Sequence, residues 1–283
     1  MTMQRSTFTS PVDGLELAGY AWDVDEPRAV VQVAHGLAEH SARYDRFAGA
    51  LNDAGYAVRA TDHRGHGASI AGTPGDFGDA GFAGLIADVA AYGASLRDDG
   101  PLFLFAHSMG SFAAQSVLLT HSPQYAGVVL SGSTALDLLA AGLAQAEEPA
   151  GLEAFNAGFE HRTGYEWLSR DEAEVDRYVA DPLCGFDLPD ATVPALFGAA
   201  RTLADPTSLA SIRPDLPLLV ASGTDDPLAG GGQLVEVLAQ RYRAAGLVDV
   251  TVRLYDGARH EILNETNRDQ VTADVVAWLD AHG

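Results

Sequence analysis

Short, near-continuous apolar runs at 29–34, 102–106, 126–130 and 216–221 constrain this chain more than any other feature. A strand apolar on both faces must be covered on both faces, which is the condition of a buried parallel sheet. Between the runs lie segments with apolar residues at helical spacing, at 44–54, 82–96, 109–119 and 233–245, and a last helix is predicted at 270–281. Gly55 is placed to stop the first of them. Further strands are predicted at 57–61 and 248–255. Strands alternating with helices give an α/β fold, a mostly parallel sheet covered by helices on both faces. The opening segments 5–10 and 15–22 alternate like strands around Asp13-Gly14, a hairpin signal, so the sheet is expected to be mixed.

The rhythm breaks from about 133 to 212. That stretch holds helix-like segments at 136–146, 152–159, 170–179 and 193–203 and no convincing strand. It is expected to form a helical cap over the carboxyl edge of the sheet, inserted into a core made of residues 1–132 and 213–283. The chain has 283 residues, 47% hydrophobic and 20% charged, as in a soluble globular protein. No apolar run approaches the roughly 20 residues that span a bilayer, and the first residues carry no secretory h-region. Cys184 is the single cysteine, so no internal disulfide can form, and a reducing, cytoplasmic location is expected. A net charge of −22 argues against nucleic acid as a partner and against anionic substrates, although most of the acidic residues serve only to keep the surface soluble. Nothing in the sequence sets the oligomeric state.

The run Phe103-Leu104-Phe105-Ala106 ends in His107-Ser108-Met109-Gly110, and a helix follows. Small-x-Ser-x-Gly between a strand and a helix presents one serine on a sharp turn, as a nucleophile. Taken alone, the motif also fits a serine that caps the next helix, and Ala106 stands where a Gly is usual. A serine hydroxyl needs a base, oriented by a carboxylate, and on such sheets the order is Ser, acid, His. Asp225 and Asp226 follow the strand predicted at 216–221, and His260 follows the strand predicted at 248–255. Ser108, the acid and His260 should therefore meet beyond the carboxyl ends of the strands. Two backbone N–H groups are needed to stabilise the oxyanion. Met109, directly after Ser108, should give one, and Leu37, after His35-Gly36 at the end of an early strand, the other. The side chains of His35 and His40 read as structural.

These motifs resemble the α/β-hydrolase superfamily and, within it, the monoacylglycerol lipase and lysophospholipase-like serine hydrolases. The likeness lies in residues 35–44 (HGLAEHSARY), 62–69 (DHRGHGAS), the turn around Ser108, Asp226, His260, and the stretches 162–171 and 260–265. It covers nearly the whole chain. The resemblance implies an α/β-hydrolase fold and a carboxylic ester hydrolase with Ser108 as nucleophile, Asp226 as acid, His260 as base, Leu37 and Met109 as oxyanion donors, and no cofactor. Ala106 adds one methyl where strand and helix pass closely, which is expected to be tolerated.

His63 and His66 beside Asp62, and His107 beside Ser108, invite a metal reading, but a zinc site needs three or four converging ligands. Residues 62–67 read more simply as a tight loop tying the oxyanion loop in place, so no metal is expected. Cys184, with no base or positive neighbour nearby in sequence, is expected to be buried. Leu138, Leu143, Phe155, Phe159, Trp167 and Phe197 in the cap are the candidate substrate-binding residues, although most such side chains pack the cap itself. An apolar lid without an evident cluster of cations favours a small, uncharged ester as the partner. The expected activity is hydrolysis of monoacylglycerol-like or other medium-sized apolar esters. Alternatives on the same fold are a lysophospholipase, a xenobiotic-ester hydrolase, an amide or peptide hydrolase and an acyltransferase; from another class, a non-catalytic small-ligand binding protein.

Overall fold

The computed structural model describes residues 2–144 and 152–283. An eight-stranded sheet runs through the molecule, formed by β1 (Gln4–Thr9), β2 (Glu16–Trp22), β3 (Ala29–Ala34), β4 (Tyr56–Thr61), β5 (Leu102–His107), β6 (Gly127–Ser131), β7 (Leu218–Gly223) and β8 (Val250–Tyr255). Their order is β1-β2-β4-β3-β5-β6-β7-β8. β1 and β2 form the expected antiparallel hairpin, with Gln4 opposite Ala21, and β2 is also antiparallel to β4. Every other pairing is parallel. β7 starts two residues later than the sequence predicts, just after Pro217, which has no N–H to give to a ladder.

β5 shows why the strands are apolar throughout. Leu102, Leu104 and Ala106 enter one core, and Phe103 and Phe105 the other. The first core is closed by α2 (Gly81–Ser95), α3 (Met109–His121) and α9 (Gln233–Ala244); the second by α1 (Asp45–Asp53) and α10 (Arg268–His282). Each large side chain so buried contributes about 1.5–3 kcal/mol. Gly55, at φ +87°, ends α1 in the left-handed conformation that favours glycine.

Between β6 and β7 the described residues form no strand. They hold α4 (Leu136–Leu143), α5 (Glu172–Ala180), α6 (Thr192–Phe197), α7 (Ala200–Ala204) and α8 (Pro206–Leu209). The helix predicted at 136–146 is α4, and its last two residues lie outside the described ones. Two further expectations are corrected. Residues 152–159 form only a single 3₁₀ turn at Leu152–Asn156. The side-chain amide of Asn156 is engaged there, donating to Glu166 (2.8 Å) and accepting from the backbone of Trp167 (2.9 Å). The predicted 193–203 helix is broken into α6 and α7 at Gly198, the weakest helix former of the stretch after Pro194. A 3₁₀ turn at Glu166–Leu168 and α8, capped by Asp205 through the Ser208 N–H (2.9 Å), escaped the sequence pattern.

Candidate active site

Ser108 stands between the central strand β5 and α3, at φ +51° and ψ −122°. A residue with a Cβ is strained there, and the surroundings must hold it. Its N–H donates to the Ser131 carbonyl on β6 (2.9 Å); its own carbonyl accepts from the N–H of Ser111 (2.8 Å) and from the Ser111 hydroxyl (2.6 Å). Gly110 explains the second small position of the motif. A Cβ there would overlap the carbonyl oxygens of Ala34 and His35 at the end of β3. Ala106 pairs with Ala34 across β5 and β3, and its methyl is fully buried in the core.

β7 and β8 deliver the other two residues. Of the two candidates, Asp226 is buried and Asp225 is exposed. Asp226 accepts from the Ser222 hydroxyl (3.0 Å) and the Leu228 N–H (2.9 Å), and lies 2.9 Å from His260 Nδ1. The two loops are laced together by the Thr224 N–H to Tyr255 O and the Asp225 N–H to Ala258 O bonds. Gly223 lets them close, since a Cβ there would strike the Ala258 carbonyl. Burial disfavours the charged forms of both groups, yet their mutual attraction and hydrogen bond win. The His260 imidazole is raised above its ordinary value and the Asp226 carboxyl lowered below its own. Behind His260, the His107 ring lies 4.8 Å away, centroid to centroid. Burial, followed by the charge of His260, lowers His107 to about 4, so it stays neutral.

The loop after β3 closes over Ser108. Its Gly36 passes so near that a Cβ would lie 3.2 Å from Ser108 Cβ. Glu39 acts as an internal strut, accepting from the Gly36 N–H (2.5 Å), the Tyr44 hydroxyl (2.9 Å) and Arg43 (2.7 Å). Leu37 is half-buried on this loop, and Met109 opens α3. The 62–67 segment ties the loop as expected. Asp62 accepts from the Ser41 and Ala68 N–H groups and the Tyr20 hydroxyl, and the His63 N–H donates to His35 Nε2 at 2.9 Å. Burial holds His35, His63 and His66 neutral. The two histidines singled out beside Asp62 are buried in this hydrogen-bonded loop. Three donors do converge elsewhere: His40, Asp181 and Cys184 have ligand atoms within 4.8 Å of one another. His40 Nε2 is already hydrogen-bonded to Asp181 (2.9 Å), and the charge of Arg43 is felt at Cys184. Cys184 is buried as expected, and burial raises its thiol despite that positive neighbour, which sequence distance had hidden.

The six candidate substrate-binding residues scatter. Trp167 is buried with its ring 4.9 Å from that of His260, and Phe155 packs 5.2 Å from Trp167. Phe159 lies under the Arg259 guanidinium at 4.5 Å. Phe197 borders an open concavity with Ala140 and Arg201. Leu138 and Leu143, on α4, are 39% and 36% exposed. Sequence reasoning missed the polar anchors. Glu265, fully buried, accepts from the N–H groups of Arg259 and Arg170 and from Arg170 Nε, pinning the His260 loop to the insertion. The His260 N–H donates to Trp167 O (3.2 Å) and the Glu261 N–H to Leu168 O (2.8 Å). The only sequence signal for these anchors was their place within matched motifs.

A family model described as Hydrolase_4, serine aminopeptidase S33, matches residues 25–267. The monoacylglycerol lipase of Mycolicibacterium smegmatis is 32% identical over 96% of this chain and 95% of its own. The mouse monoglyceride lipase is 30% identical over 89% of this chain and 82% of its own. The crystal structure of a highly thermostable carboxyl esterase from Bacillus coagulans, in complex with glycerol, superimposes with a TM-score of 0.86 at 27% identity, covering 100% of this chain and 99% of that one.

Proposed function

We propose that this chain, which belongs to the Hydrolase_4 (serine aminopeptidase, S33) family of α/β-hydrolases, hydrolyses carboxylic esters of the monoacylglycerol type. The observation that carries the reading is the buried His260–Asp226 pair, 2.9 Å apart, delivered to the same sheet edge as the strained Ser108 turn. In the proposed reaction Ser108 Oγ attacks the ester carbonyl as His260 takes its proton. The Leu37 and Met109 N–H groups stabilise the oxyanion. His260 then protonates the leaving alcohol, and afterwards activates water to release the acid from Ser108. Asp226 orients the imidazole and stabilises its cation. No step calls for a cofactor.

Residues 133–212 are proposed to act as the cap that selects the substrate, with Trp167 and Phe155 at its inner end. Three cap arginines are engaged by carboxylates: Arg162 by Asp176, Arg170 by Glu265 and Arg177 by Glu174. Arg201, exposed beside Phe197, is the remaining one, and the engagement of the other three supports an uncharged substrate over a lysophospholipid. A cytoplasmic location is proposed on the single cysteine; among the described residues no helix is long and apolar enough to cross a membrane.

The test is labelling by a fluorophosphonate, abolished by Ser108→Ala, followed by turnover of matched p-nitrophenyl esters and anilides. Labelling and ester turnover at rates well above the anilide are expected. An unlabelled wild-type protein sinks the reading. Faster anilide cleavage moves the activity to the peptidase that the family description names.

A further inference from the structure

We infer that Tyr178, on α5 of the insertion, is a positioning residue for the oxyanion loop: it holds the backbone of Ala38 in a left-handed conformation and so sets the Leu37 N–H. This rests on the esterase reading above. Ala38 has φ +53°, a region that favours glycine and that a residue with a Cβ enters only when something holds it there. It is fully buried, so water does not solvate it. Its carbonyl accepts two hydrogen bonds, from the Tyr178 hydroxyl (2.9 Å) and from the Gly185 N–H (3.0 Å), and both donors belong to the insertion.

Leu37 therefore lies between two pins. Upstream, the Gly36 N–H is fixed by Glu39 from within the loop (2.5 Å). Downstream, the Ala38 carbonyl is fixed from outside it. Removing the Tyr178 bond leaves the Gly185 N–H as the one outside donor to Ala38 among the bonds described, which weakens the hold against relaxation to negative φ, and that rotation carries the Leu37 segment away from Ser108. The pin is itself braced. The Tyr178 ring packs 5.1 Å from Tyr165 and lies 4.9 Å under the Arg43 guanidinium, and burial keeps its hydroxyl protonated as a donor. The Tyr165 hydroxyl donates to the Gly185 carbonyl (2.9 Å), orienting the same residue whose N–H meets Ala38. Gly185, at φ +61°, sits where a side chain is strained, and a Cβ would press against the Tyr165 hydroxyl and Tyr178 Cε1 at 3.1 Å.

A double-mutant cycle of Tyr178→Phe and Ala38→Gly tests this. Glycine removes the conformational penalty that the Tyr178 hydroxyl offsets, so the two substitutions must be coupled. Two rates are read: phosphonylation of Ser108 by a small ethyl fluorophosphonate, whose leaving group is fluoride and not an alcohol, and kcat and KM on p-nitrophenyl butyrate. Tyr178→Phe is expected to slow phosphonylation and kcat about 5- to 20-fold with KM within about twofold. In the Ala38→Gly background the same substitution should cost less than about twofold. An equal fold loss in both backgrounds, a loss confined to KM, or no loss overturns the inference while leaving the esterase reading intact. A wild-type protein that does not label removes both. Should Tyr178→Phe fail to fold, Tyr165→Phe reads the same clamp one bond further out, with a smaller loss suppressed in the same way.

Discussion

Acidification to pH 5.0 should destabilise this protein through its buried histidines. Burial, with the His66 imidazole adding to it, lowers His63 to about 3; burial lowers His66 to about 4, and burial followed by the charge of His260 lowers His107 to about 4. In the unfolded chain each returns to about 6.5. The unfolded state therefore binds the extra protons, and stability that is complete above about pH 6.5 is lost progressively as the pH falls towards the folded values. At pH 5.0 each such group costs about 1.36 kcal/mol times 1.5 units, or about 2 kcal/mol. The three together cost about 6 kcal/mol, a large share of a typical 5–15 kcal/mol. His35 is lowered too and acts in the same direction. His260 acts in the opposite one, since its raised value adds stability below about pH 6.5 that is lost as the pH rises through the folded value. Carboxylates held low, such as Glu166 and Glu261 at about 2, keep their contribution down to about pH 4.5, so the interval from 7.5 to 5.0 isolates the histidines. The assay is urea unfolding at the two pH values. A free energy at pH 5.0 within about 1 kcal/mol of that at pH 7.5 refutes the reasoning. His66→Phe should remove about 2 kcal/mol of the pH dependence, one group's share; its Nε2 is buried without a partner among the described residues. An undiminished pH dependence in that variant places the effect elsewhere.

Asp226→Asn removes the largest charge that raises His260, leaving burial opposed by the smaller effects of Glu261 and Glu39; the acid limb of kcat/KM should move to lower pH while kcat falls about 10³- to 10⁴-fold, read from a pH–rate profile. Gly110→Ala drives a methyl into the Ala34 and His35 carbonyls and should cost at least about tenfold in kcat, while circular dichroism shows the fold retained. Glu39→Ala leaves the Gly36 N–H and the Tyr44 hydroxyl without their acceptor, while Arg43 keeps its pair with Glu261, and should lower kcat about 10- to 100-fold, with Glu39→Gln recovering part of the loss in the same steady-state assay.

The sheet was legible because its strands obey a strong constraint. A run such as 102–106 must be apolar on both faces, and it appears as β5 with one core on each side. Ser108, Asp226 and His260 were legible because each sits where a strand hands over to a loop. The insertion was not. Its helices are short, and Asn156, Gly198 and Asp205 end or cap them through side-chain bonds and propensities that periodicity does not see. The anchors Glu265 and Tyr178 were invisible for another reason. They act on residues 95 and 140 positions away, and no local pattern encodes a partner at that distance.

The hydrogen bonds from His260 and Glu261 to Trp167 and Leu168 bear on how the fold can be recombined. The insertion is continuous in sequence, spliced between β6 and β7, and looks like a cassette that could be exchanged for that of another enzyme with a different preference. Its backbone nevertheless carries acceptors for the loop that bears His260. A transplanted cassette that shifts the backbone at Trp167 by one residue would leave two buried N–H groups unpaired beside His260. The insertion and the His260 loop are therefore not separately inheritable in this architecture, and a viable chimera must bring residues 259–265 along with the cassette.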